Sequence, residues 1–138
     1  MTSKFFFYRI YIRLLALNVW LRRVAYNRWL RSQREEMAGK DFSYLDLTQA
    51  NLSGANMQGV NLTHANLTRV NLRNALLSEA DFTRARLWQV DFSGAVLDGA
   101  DFSYADLREA TVSRAQLAQA ASLLGAILPE QTAVSGSP

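Results

Sequence analysis

From Lys40 onward, hydrophobic and polar residues recur with a period of five. Read in fives, the chain runs KDFSY, LDLTQ, ANLSG, ANMQG, VNLTH, ANLTR, VNLRN, ALLSE, ADFTR, ARLWQ, VDFSG, AVLDG, ADFSY, ADLRE and ATVSR. The third place of all fifteen blocks is apolar, from Phe42 to Val112. The first place is Ala or Val in thirteen blocks, and the second is Asp or Asn in eleven. Neither the helical nor the strand period divides five, and a helix would smear these apolar residues around its whole circumference. The pattern predicts a coil that turns its large residue inward once per five residues, with the small residue beside it where the axis is tight.

This A(D/N)LXX pattern, spanning residues 40–114, resembles the pentapeptide-repeat family. The resemblance implies an all-β solenoid: a right-handed quadrilateral β-helix with four pentapeptides per coil, here just under four coils. Positions twenty apart would then stack. Phe42, Leu62, Phe82 and Phe102 fall on one face of the core, and Leu47, Leu67, Leu87 and Leu107 on the next. At about 4.8 Å per layer the column would stand roughly 18 Å tall.

An open column needs both ends covered. At the front, Met37 falls five before Phe42 and can plug the core as a partial repeat. At the back, Ser113-Arg114-Ala115-Gln116 is a capping-box pattern, which predicts a short helix from about Arg114 to Ala121. Residues 123–129 (LLGAILP) resemble the closing segment of the family. The chain thus divides into a basic amphipathic N-terminal helix (1–36), the repeat column (37–114), a C-terminal cap (115–129) and a disordered tail (130–138).

Residues 5–34 contain no Pro or Gly and read as one long α-helix. Arg9, Arg13, Arg23, Asn27, Arg31 and Arg34 fall on one stripe, with Phe7, Ile10, Leu14, Leu15, Leu21 and Trp29 opposite. Thirty helical residues span about 45 Å, more than twice the height of the column, so the column alone cannot cover the apolar side. A transmembrane span over Phe5–Leu21 would bury Arg9 and Arg13. Those two arginines oppose insertion by about 5–7 kcal/mol against about 3–6 returned by the apolar residues, so a span is marginal. A helix lying in an anionic membrane surface fits the arginine edge. Docking into a groove of a large protein assembly fits the same pattern. The anchoring residues on either reading are Arg9, Arg13, Leu14, Leu15, Trp20, Leu21, Arg23, Trp29, Arg31 and Arg34.

Charge sharpens this division. Residues 1–40 carry nine basic and two acidic side chains, a balance of +7; residues 41–138 carry six and ten, a balance of −4. The basic arm therefore points to an anionic partner while the body serves another purpose. Composition excludes much chemistry: the chain has no Cys and one His, which removes disulfides, thiol catalysis and multi-histidine metal sites. His64 has no second ligand or base near it in the repeat frame. No enzyme activity, cofactor or metal is expected, and nucleic acid is not an expected partner.

Departures from the motif mark candidate contact surfaces. Leu76 and Val96 replace Asp or Asn in the second place one coil apart, and Arg86 does so beside Trp88 at an outward fourth place. The expected function is a non-catalytic scaffold, linker or docking protein. Its helix would anchor it to a membrane surface or a large assembly, cytoplasmic and peripheral to a thylakoid or inner membrane. The photosynthetic setting rests on the resemblance alone. One branch of the family mimics DNA and binds type II topoisomerases, and regulation of that kind is the alternative. It fits less well, because residues 40–114 carry seven basic side chains among nine acidic ones.

Overall fold

The computed structural model describes residues 37–130. The N-terminal segment 1–36, with its expected helix, and residues 131–138 of the expected tail lie outside the described residues. Within 37–130 the second place of each repeat forms a parallel bridge with the residue twenty further on: Asp41 with Asn61, Asn61 with Asp81, and Asp81 with Asp101. The ladder repeats on four faces. Face A holds Asp41, Asn61, Asp81 and Asp101; face B, Asp46, Asn66, Arg86 and Asp106; face C, Asn51, Asn71, Asp91 and Thr111; face D, Asn56, Leu76 and Val96.

One repeat shows why the period is five. Asn61 N–H donates to the Lys40 carbonyl one coil back, and Leu62 N–H donates to the Asp81 carbonyl one coil ahead, at 2.9 and 2.8 Å. His64 N–H donates to the Thr83 carbonyl at 3.0 Å. Ala65 N–H closes the corner on the Leu62 carbonyl at 3.0 Å. That leaves the amide of Thr63, which donates to Asn61 Oδ1 at 3.0 Å. All five amides of the repeat are used, so a backbone that never forms a long strand still meets its hydrogen-bonding requirement.

The corner requires a left-handed residue at every fifth place. His64 has φ 58°, and nine other non-glycine residues from Tyr44 to Glu109 share that conformation. A residue with a Cβ is disfavoured there, so the corner hydrogen bonds and the packing inside must hold it. Gly94 is restricted twice over: it has φ 70°, and a Cβ would also collide with the Asn74 side chain one coil earlier.

The interior is wholly apolar. Every third place from Phe42 to Leu107 and every first place from Ala50 to Ala110 is buried, and no buried polar residue occurs among the described residues. Large and small residues alternate inside, which lets four flat walls close on a narrow core. Phe82 stacks on Phe102 with ring centroids 4.9 Å apart, and Phe92 meets both edge-on at 5.9 and 6.0 Å. Such pairs add about 0.5–1.5 kcal/mol beyond area burial.

Met37 is 1% exposed and starts the inward column Met37, Met57, Leu77, Leu97, Leu117 on face D. Leu117 comes from helix α1, Arg114–Ala118, whose capping box is complete: Ser113 Oγ accepts from Gln116 N–H, and the Gln116 side chain accepts from Ser113 N–H. The helix ends three residues short of the expected Ala121. Ala121 N–H instead pairs with the Ala100 carbonyl at 2.8 Å, and Ser122 bridges Asp101. A helix rises only about 1.5 Å per residue, so this side needs one more residue than a pentapeptide to cover the same ground. The ladder therefore resumes shifted by one, Asp101 with Ser122 and Asp106 with Ile127, and the cap is partly a continuation of the coil.

Candidate functional site

Each candidate surface follows from what the second place does. All eleven Asp and Asn residues there accept the fourth-place amide of their own repeat, as Asp81 does from Thr83 at 2.8 Å and Asp101 from Ser103 at 2.8 Å. This side-chain turn was not read from the sequence, where the Asp/Asn column registered only as a motif. Leu76 and Val96 have no acceptor atom and a guanidinium cannot accept, so the amides of Ser78, Asp98 and Trp88 lose that partner.

On face D the departures come together. Leu76 and Val96 bridge each other and are 39% and 36% exposed. Around them stand Gln58, Ser78 and Asp98 in the fourth place and Gly59, Glu79 and Gly99 in the fifth, so the face is low in relief. Below Val96 the Gln116 side chain turns inward, donating to the Phe92 and Ala95 carbonyls at 2.7 and 2.9 Å. The Phe92 carbonyl already accepts the Ala95 amide. The bond that fills a gap is therefore the one to the Ala95 carbonyl, which in other repeats takes a second-place amide, as Ala75 does from Val96.

Face B is more polar and largely self-paired. The Arg69 guanidinium lies 5.4 Å from the Trp88 ring centroid, and its Nε donates to Gln89 Oε1, whose amide donates to Glu109 Oε2. Trp88 is half-buried and Arg86 exposed. Arg108 grips Asp106 with two nitrogens at 2.7 and 2.9 Å, and that hydrogen bond holds the Asp106 carboxyl below the usual range. On face C, Arg73 pairs with Asp91 at 3.1 Å. Burial there pushes the Asp91 carboxyl up, but hydrogen bonds from Ser93 and Arg73 outweigh it and leave the group lowered. The structure thus joins Leu76 to Val96 on face D and places Arg86 and Trp88 on face B, on opposite sides of the column rather than on one surface.

Face A keeps the motif and carries a stack of fifth-place side chains. Tyr44 lies parallel to His64 at 4.7 Å, and Arg84 sits over Tyr104 at 5.7 Å. Gly125 ends this stack; a Cβ there would stand 2.6 Å from the Tyr104 ring. At the far end Leu124, Ile127 and Leu128 are 64%, 50% and 40% exposed. The exposure of Ile127 was hidden in the sequence because the one-residue shift after α1 moves it from an inward third place to an outward second one.

Among the described residues no group of His, Asp or Glu is disposed to hold a metal ion, and no helix is long and apolar enough to cross a membrane. The expected anchoring residues Arg9, Arg13, Leu14, Leu15, Trp20, Leu21, Arg23, Trp29, Arg31 and Arg34 lie outside the described residues.

The family model of pentapeptide repeats (8 copies) matches residues 41–78 and 75–114. A pentapeptide repeat protein from the Arabidopsis thaliana thylakoid lumen aligns with a TM-score of 0.58 at 25% identity, over 70% of this chain and 64% of that one. A pentapeptide repeat protein from the cyanobacterium Cyanothece 51142 aligns with a TM-score of 0.51 at 24% identity, over 67% of this chain and 58% of that one. The chain therefore spans less than two thirds of either neighbour. No curated protein matches it at a significant level.

Proposed function

The chain belongs to the pentapeptide-repeat family, and from that premise we propose that it is a non-catalytic docking protein whose basic N-terminal segment anchors a rigid column to an anionic membrane surface or a large protein assembly. The observation that carries this reading is the split of charge, +7 over residues 1–40 against −4 over residues 41–138, combined with an apolar stripe too long for the column to cover. The column supplies stiffness: each layer is tied to the next by backbone bonds on four sides, so a ligand on one face is held at a fixed distance and angle from the anchor. A thylakoid or inner-membrane setting draws support from the likeness to a thylakoid-lumen protein.

Flotation of the full chain with vesicles tests the anchor. Vesicles rich in anionic lipid should carry the protein upward at low salt and release most of it at high salt, because arginine attraction is screened while apolar contact alone is weak. Equal recovery in the bottom fraction with anionic and neutral vesicles would overturn the membrane arm and leave the protein assembly. DNA mimicry toward a type II topoisomerase is the second reading. Its support is thinner, because the Asp81 and Asp101 row of face A is broken by Asn61 and flanked by Arg84.

A further inference from the structure

We infer that face D is the docking site of the chain's own N-terminal segment, with residues 22–34 running along the column across Leu76 and Val96. Four observations meet there. First, the described chain begins on this face: Met37 is the first residue of the inward column Met37, Met57, Leu77, Leu97, so the segment arrives at the top edge of face D.

Second, Leu76 and Val96 each expose an apolar side chain where Asp or Asn stands in most other repeats. Two such side chains stacked one coil apart form an apolar patch that a covering segment would take out of water. Third, the face is shaped for close approach. Gly39, Gly59 and Gly99 fill three of its fifth places, and Ala38 and Ser78 two of its fourth.

Fourth, charge is complementary. In its second to fifth places face D carries Glu79 and Asp98 and no Lys or Arg, and neither carboxylate forms an ion pair among the described residues. As a helix, residues 22–34 would turn Trp29 to the face with Arg22 and Arg28 on its two sides, while Arg23, Arg31 and Arg34 fall on the opposite stripe. Thirteen helical residues would span about 20 Å, close to the height of four layers at about 4.8 Å each. The docked length leaves residues 5–21 beyond the column. This inference does not rest on the anchoring proposal: it takes Trp29 for the column and leaves residues 5–21 and the outward stripe of Arg23, Arg31 and Arg34 to the anchor.

Limited trypsin digestion of the full chain without vesicles tests it, with cleavage after Arg22, Arg23, Arg28, Arg31 and Arg34 followed by mass spectrometry. Docking predicts that the L76N/V96N variant is cut in this segment about tenfold faster than wild type, since cleavage follows the population of the open form. The E79Q/D98N variant, which keeps the apolar pair and removes the charges, should also be cut faster. L76M/V96I should stay at the wild-type rate. If L76N/V96N loses the column's cooperative melt, E79Q/D98N alone decides. Equal cleavage in all four proteins overturns the inference. So does protection that grows with protein concentration, which would make a second copy the occupant. A failed flotation with intact protection would reject the anchor and keep the docking; the reverse result would do the opposite.

Discussion

Faces A and D are walls of one column, built on the same five-residue frame, yet their second places do different things. On face A, Asp41, Asn61, Asp81 and Asp101 each hold the amide two residues on, and Ser122 Oγ does the same for Leu124 after the register shift. On face D the series runs Asn56, Leu76, Val96, Gln116, and only the first works in that way. Inside, the two walls are equally closed: Phe82 and Leu77 are both fully buried. The column therefore tolerates loss of the side-chain turn without losing the coil. The inward residues and backbone ladders hold the fold, and the second place is a smaller contribution that can be given up where a surface is needed.

The largest test of that ranking lies inside. Phe82 touches Phe92 and Phe102, and Phe82→Ala should destabilise the protein by about 3–5 kcal/mol. Thr83→Ala, one residue along and outside the core, should fall within about 0.5 kcal/mol. Thermal melts of the two variants check the frame: equal midpoints would mean that the inward column has been assigned to the wrong residues. A loss at Phe82 could exceed the whole margin of so short a solenoid, since each layer leans on its neighbours.

A smaller effect separates faces that keep the second-place acceptor from those that lack it. Asp81→Ala removes the partner of the Thr83 amide and should lower stability by about 1 kcal/mol. Arg86→Ala removes no such bond and should change it by no more than about 0.5 kcal/mol. Chemical denaturation of both variants gives the comparison. A loss at Arg86 as large as that at Asp81 would show that the second place acts through something other than its acceptor oxygen.

Much of this was legible in the sequence because the period is local and strict. Fifteen apolar third places define the inward residues, and spacing by twenty assembles the faces once four repeats per coil are assumed. The ends were less legible. The capping box at Ser113 and Gln116 announces where α1 starts, but nothing nearby announces its end. Ala118 is the last helical residue because Ala121 finds the Ala100 carbonyl of the preceding coil, a contact that exists only after the column has formed. The same non-local pairing sets the shift that leaves Ile127 outward. At the candidate surfaces, the sequence marked Leu76, Val96, Arg86 and Trp88 as departures. It did not reveal that Arg69 covers the Trp88 ring, because cross-coil neighbours at the fourth and fifth places depend on side-chain direction.

Residue-resolved amide exchange on the intact protein tests the central distinction most directly. Trp88 and Thr68 occupy the same place on face B one coil apart, away from face D, and differ in what precedes them: Asn66 accepts from Thr68 at 3.2 Å, whereas Arg86 cannot accept from Trp88. A net bond of about 1 kcal/mol predicts that the Thr68 amide exchanges roughly fivefold more slowly than that of Trp88 after correction for intrinsic rates, with Thr83 and Ser103 as slow as Thr68. Equal rates at Thr68 and Trp88, or a slower Trp88, would contradict the role assigned to the second place.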